Sequence, residues 1–196
     1  MNKALPGELI VRPVRQDDLS ALAAIDMGYE STACYKVNKQ QVNGQLQYMV
    51  TMEQLTQPYR IEYDAWDWTE APGFLAHLKA GHVFGAFLNT PQGESGTGLL
   101  ELCLREEQQA GEIVSLYVHR PLRGKGIGAA LIRAGLAWAG QHDLRALLVT
   151  TQAVDAPAIS FYRHMGFHIC GLHDHYYHND DLVTGEVAVF LVRTLP

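Results

Sequence analysis

Apolar residues recur along this chain with two different periods, and the alternation between them orders its elements. Ile127, Leu131, Ala134 and Trp138 stand at i, i+4, i+7 and i+11, with Ile132 and Leu136 widening the stripe. That spacing predicts a helix with one buried face. Before it, Glu8–Val14, His82–Leu88, Gly98–Leu104 and Glu112–Val118 are runs of strand length, the second and third joined by the turn Asn89-Thr90-Pro91-Gln92-Gly93. After it, Leu144–Thr151 is an unbroken apolar run between two helices, which predicts a strand covered on both faces and parallel to the one before the helix. Asp155 suits the cap of a further helix, Pro157 its first turn and Gly166 its end, and Phe167–Leu172 and Glu186–Val192 supply two last strands. Near the start, Asp17 or Asp18 can cap a short helix bearing Leu19, Leu22, Ala23 and Ile25. Between residues 28 and 81 the periodicity is weak, with β-like pieces at 33–37 and 45–52 and an acidic, aromatic-rich segment at 59–68.

Composition narrows the class. The 196 residues are 47% hydrophobic and 18% charged, enough for one α/β domain over 1–196 with a substantial core. No apolar run approaches the roughly 20 residues of a membrane span. The start, Met1 to Pro6, lacks the apolar stretch of a signal peptide, so the expected location is cytoplasmic, without membrane partners. Cys34, Cys103 and Cys170 are odd in number and far apart, which suggests neither a disulfide framework nor a zinc knuckle. The net charge of -6 is uneven. Arg120, Arg123, Lys125, Arg133 and Arg145 face only Asp143 as an acid between residues 119 and 145, while Glu53, Glu62, Asp64, Asp67 and Glu70 face only Arg60 between 51 and 75. One stretch suits phosphates and the other cations, if the groups line a cleft rather than solvated surface. A single short basic stretch in an acidic chain gives little to a nucleic-acid backbone, and no nucleic-acid partner is expected.

The basic stretch holds Arg123-Gly124-Lys125-Gly126-Ile127-Gly128, directly after one strand and opening the periodic helix. Glycines at alternate positions let consecutive N–H groups converge on an anion at the positive end of the helix. A P-loop would need Ser or Thr after the lysine to reach magnesium, and Gly126 stands there. A dinucleotide fold would place an acid after the next strand, whereas Asp143 precedes it. The stretch resembles instead the Arg/Gln-x-x-Gly-x-Gly/Ala element of the GNAT N-acetyltransferases, through Arg123, Gly126 and Gly128. A second stretch, Asp155-Ala156-Pro157-Ala158-Ile159-Ser160-Phe161-Tyr162-Arg163-His164-Met165-Gly166-Phe167, is similar to that family's Asn-x-x-Ala-x-x-x-Tyr-x-x-x-Gly-Phe element. The resemblance runs from about residue 97 to the C-terminus.

It implies a GNAT fold: a mixed, strongly twisted sheet of about seven strands, flanked by helices, with a parallel pair that splays to admit pantetheine. Acetyl-CoA is the implied co-substrate, with no metal. The resemblance assigns residues 97–196 to its binding and 28–81 to acceptor specificity. Main-chain groups of Leu116, Tyr117 and Val118 would meet pantetheine, and those of Arg123, Gly124, Lys125, Gly126, Ile127, Gly128 and Ala129 the pyrophosphate, with Asp155 and Tyr162 completing the cofactor site. Tyr162 stands where the family has its general acid, although a core tyrosine is the plainer alternative. The family's glutamate base is missing from Glu112–Val118, where Ser115 and Tyr117 stand. Glu101 is the nearest carboxylate on a neighbouring strand, with an exposed strand carboxylate or solvent as the competing readings.

The C-terminal third further resembles the streptothricin (nourseothricin) acetyltransferases, through Asp155–Ile159, Tyr162–Phe167, Cys170-Gly171-Leu172 and Gly185-Glu186-Val187-Ala188. That implies a cationic small-molecule amine as acceptor, met by Glu62, Asp64, Trp66, Asp67 and Glu101, and it allows a homodimer. Acetylation of protein N-termini or polyamines, and a non-catalytic coenzyme-A sensor, are the alternatives. His173, His175 and His178 with Asp174 make a thinner case for a metal site, which the implied chemistry does not need.

Overall fold

A computed structural model describes residues 5–63, 71–91 and 93–196. The chain divides into two compact units, one of Met1–Gly28, Glu62–Leu147 and Thr194–Pro196, the other of Tyr29–Ile61 and Leu148–Arg193.

In the first unit, β1 (Glu8–Pro13), β4 (Val83–Thr90), β5 (Gly93–Arg105) and β6 (Ala110–Val118) are antiparallel neighbours in that order. Their apolar faces bury Val83, Phe87, Leu99, Leu100 and Leu102. A short helix α1 (Leu19–Leu22) and an eight-residue helix α2 (Pro72–Lys79) close one core, in which Leu22, Ile25, Met27 and Phe74 pack with Val83, Phe87 and Leu99. The periodic stripe folds as α3 (Ile127–Gln141), burying Ile127, Leu131, Ile132, Gly135, Trp138 and Ala139. Its centre falls on Gly135 rather than on Ala134. A Cβ at Gly135 would sit 3.0 Å from Leu100 Cδ2, so the missing side chain sets how closely helix and strand approach.

The second unit holds a hairpin, β2 (Tyr29–Val42) and β3 (Gln45–Ile61), far longer than the two β-like pieces read from the sequence. Its turn is Asn43-Gly44, both at positive φ (50° and 79°), the geometry of a tight two-residue hairpin loop. Strands β7 (Ala146–Gln152), which begins in the first unit, β8 (His168–His173) and β9 (Ala188–Thr194) follow, with helix α4 (Ala156–His164) and a single-turn α5 (Asp181–Thr184). Asp155 accepts the Ala158 N–H at 3.0 Å, Pro157 lies in the first turn, and Gly166 (φ 85°) follows the last. The seven strands other than β2 and β3 form one mixed sheet in the order β1-β4-β5-β6-β7-β9-β8, with β6 and β7 parallel and helices flanking it.

Helix α2, like the single-turn α5, is an element that the sequence reading left out. Pro72 at its N-terminus supplies a preset φ, and Phe74, Leu75 and Leu78 form a stripe too short to stand out among its irregular neighbours.

Candidate active site

The first unit carries a glycine loop between β6 and α3. A 3-10 turn, Arg120–Leu122, ends β6 and spends the Arg123 amide on the Arg120 carbonyl. Gly124 (φ 74°) and Gly126 (φ 87°) then reverse the backbone in a region that L-residues with side chains rarely enter. Gly126 is the N-cap of α3, and among the described residues no side chain caps the helix. The first bond into the helix comes from the Ala130 N–H to the Gly126 carbonyl, so the amides of Ile127, Gly128 and Ala129 precede the intrahelical ladder. A Cβ built on Gly124 or Gly126 meets no atom within 4 Å. The loop therefore borders open space, rimmed by main-chain donors and Lys125, a donor set that suits a diphosphate.

Arg123 works as a brace for this loop. Its Nε donates to the Val118 carbonyl at 3.0 Å, and its Nη2 to the carbonyls of Met27 (2.9 Å) and Gly28 (2.8 Å). The planar guanidinium thus ties the end of β6 to the segment after α1. Val118, Tyr117 and Leu116 pair in register with Gly98, Leu99 and Leu100 of β5.

One residue further back the β5–β6 register shifts, from Glu101 opposite Ser115 to Leu102 opposite Ile113, which leaves Val114 as the extra residue of a bulge. Glu101 sits beside that bulge and is only 6% exposed, so the reading of it as an exposed strand carboxylate does not hold. His77 of α2 lies against it, Nδ1 to Oε1 2.7 Å. On the other side, burial pushes the Tyr117 phenol above its ordinary range, the Glu101 charge adds to that, and a hydrogen bond with Ser115 opposes it. The Tyr117 ring packs on Tyr63 with centroids 5.8 Å apart. Glu62, next along the chain, accepts from Arg120 Nη2 at 2.5 Å, and the same nitrogen lies 3.0 Å from Asp26. The Glu62 bond raises the Arg120 guanidinium further. Glu62 is thus matched with an arginine from the basic stretch, which the sequence reading had set apart from the acids.

Asp155 and Tyr162 belong to the second unit. Asp155 is engaged as the α4 cap. Tyr162 is buried on α4 between the rings of Phe161 (5.4 Å) and Phe167 (5.5 Å). The histidine cluster holds its own loop: Asp174 binds Lys39 at 2.6 Å and Tyr48 at 3.2 Å, and Asp181 accepts the N–H groups of Tyr176, Tyr177 and His178. Among the described residues, no group of three or more His, Cys, Asp or Glu is arranged to hold a metal ion. Likewise, no helix is long and apolar enough to cross a membrane. Asp64, Trp66 and Asp67, expected to face the acceptor, lie outside the described residues.

His77 and the brace made by Arg123 were missed from sequence. For His77 the available signal was the Phe74, Leu75, Leu78 stripe, which would have put a histidine on a helix facing the sheet.

Known proteins resemble this chain in sequence and in fold. Streptothricin acetyltransferase of Streptomyces lavendulae is 38% identical over 74 residues, 38% of this chain and 39% of that protein. N-acetylaspartate synthetase of Rattus norvegicus is 35% identical over 79 residues, 40% of this chain and 26% of that protein. The chain thus spans about a quarter to two fifths of the length of these curated relatives. Among solved structures, nourseothricin acetyltransferase superposes with a TM-score of 0.75 at 20% identity, covering 96% of this chain and 99% of that one. A streptothricin acetyltransferase from Bacillus anthracis, in complex with acetyl coenzyme A, gives 0.75 at 21% identity, covering 96% and 100%. At these identities the likeness is one of fold. A family model described as acetyltransferase (GNAT) matches residues 45–167, more than half of the 196, and the chain belongs to the GNAT acetyltransferase family.

Proposed function

We propose that this protein transfers the acetyl group of acetyl-CoA to a primary amine of a small cationic acceptor of the streptothricin type, by direct attack of the amine on the thioester. The observation that carries the reading is the uncapped α3 N-terminus behind Gly124 and Gly126, with open space above both glycines. Acetyl-CoA, the co-substrate of the family, supplies the activated acetyl group. Amides of residues 124–129 bind its diphosphate, and Leu116, Tyr117 and Val118 meet its pantetheine through the main chain.

The chain's own residues then manage two protons. An alkyl amine with a pKa of about 10.4 is almost wholly protonated at pH 7 and cannot attack until it loses a proton. Glu101 takes that proton: it is buried beside the β5–β6 bulge, on the strand that pairs with Leu116–Val118. The departing sulfur is a strong base at neutral pH, and the Tyr162 hydroxyl donates to it. Glu101 also draws the ammonium by charge, while the adjacent Tyr63 and Tyr117 rings, tilted 58° to each other, offer it faces. Since Glu62 already holds Arg120, the reading gives acceptor recognition chiefly to Glu101.

The test is thiol release under matched conditions with streptothricin, lysine-rich peptides, polyamines and N-terminal peptides. Streptothricin should have the highest kcat/KM. Preference for an N-terminal peptide would move the acceptor to protein, and no release with any amine would end the catalytic reading in favour of a coenzyme sensor.

A further inference from the structure

Glu101 is a glutamate with three rotatable side-chain bonds, and nothing in its strand register decides where its carboxylate points. The contact that does so comes from α2. His77 Nδ1 stands 2.7 Å from Glu101 Oε1, and the Glu101 side chain is 8% exposed against 22% for His77. An ionised carboxylate only accepts, so the proton of this short bond lies on Nδ1 of the imidazole. The helix that carries the histidine is itself seated by Phe74, buried in the core, with Leu75 and Leu78 packed against it. Through that packing, the ring is held by the scaffold rather than by a loop.

We infer that His77 is a positioning residue for the acetyl-transfer reaction: its Nδ1–H fixes the Glu101 carboxylate in one orientation and stabilises it as the proton acceptor for the incoming ammonium. This rests on the reading of Glu101 as base given above. Among the described residues, Ser115 and Tyr117 on β6 are polar groups near the carboxylate. On the β4 side Val83 stands opposite Glu101, with His82 just before it, its imidazole pushed below the ordinary range chiefly by burial. Among the described residues, it is His77 that bonds Oε1.

The experiment compares His77→Leu, His77→Asn and Glu101→Gln with the wild type in steady-state acetyl transfer across pH 5.5–9, roughly the range open to a carboxylate-dependent step. His77→Leu should lower kcat about 10- to 100-fold while the acetyl-CoA KM stays within about twofold. Its acid limb of kcat/KM should move to higher pH, because the carboxylate anion loses the donor that His77 Nδ1 gives it at Oε1. His77→Asn places an amide N–H where Nδ1 stands and should recover most of both losses. In a Glu101→Gln background, His77→Leu should have no further effect on kcat. A folded His77→Leu enzyme with wild-type kcat and acid limb, while Glu101→Gln is impaired, overturns the inference and leaves the base reading standing. His77→Asn as impaired as His77→Leu also overturns it. Glu101→Gln at wild-type turnover removes the base and the inference with it. Thermal unfolding checks the fold of each variant, and His77→Phe, which keeps a ring without its nitrogens, replaces His77→Leu should the latter not fold.

Discussion

Replacing Gly126 by alanine separates a backbone cost from a binding cost. At φ 87° and ψ 0° an alanine loses about 1–2 kcal/mol relative to glycine, since its Cβ crowds the neighbouring carbonyl. No other atom lies within 4 Å of the added methyl, so packing adds nothing to that figure. For a domain of this size the loss lowers Tm by about 2–8 °C. Gly44, in the β2–β3 turn, has φ 79° and equally open surroundings, which makes Gly44→Ala an internal control with the same conformational penalty. The two variants should melt alike. They should differ in coenzyme binding, because at Gly126 the methyl and the relaxed backbone displace one amide-to-oxyanion bond, worth about 1.5–3 kcal/mol. Calorimetric titration with coenzyme A should then show a Kd raised about 10- to 100-fold for Gly126→Ala and unchanged for Gly44→Ala. If Gly126→Ala binds coenzyme A as Gly44→Ala does, the loop is a turn and not a diphosphate seat.

Three further outcomes are expected. Tyr162→Phe should lower kcat about 100-fold in single-turnover assays while leaving the coenzyme A Kd within about twofold; wild-type turnover would remove Tyr162 from the mechanism. Asp155→Ala, which takes the cap from α4, should cost about 1 kcal/mol of stability and about 2–4 °C in Tm by scanning calorimetry. The Arg12 hydrogen bond, reinforced by the Arg15 amide, holds the Asp18 carboxyl below its ordinary 3.8. A depressed folded-state pKa gives stability that is present above 3.8 and is lost as pH falls through the lower, folded value. Urea midpoints of the wild type and Asp18→Asn should therefore differ at pH 6 and begin to converge only as the pH falls below 3.8.

The parts that could be read from the sequence are those whose signals are local. The α3 stripe, the Asp155 cap and the Gly166 stop lie within a few residues of what they organise, and the glycine loop announces itself between a strand and a helix. What escaped depends on partners far along the chain. His77 gains its role from Glu101, 24 residues away, and Glu62 its arginine from position 120. The length of β2 and β3 was hidden because most positions of β3 are exposed and carry no buried alternation, although Asn43-Gly44 marked the turn. The resemblance gave the main-chain N–H of Arg123 to the pyrophosphate, whereas that amide bonds the Arg120 carbonyl and the guanidinium binds the carbonyls of Met27, Gly28 and Val118.

That last arrangement bears on how this protein can change over generations. Arg123 grips oxygens that every amino acid possesses, so replacements at Met27, Gly28 or Val118 leave its three anchor points in place. Position 123 itself has no such latitude, since lysine has no planar fork to reach three carbonyls at once. A survey of tolerated substitutions should find it nearly invariant, with Gly28 and Val118 free to vary and Met27 held only to apolar residues by the core, the reverse of what pairing between side chains would leave behind.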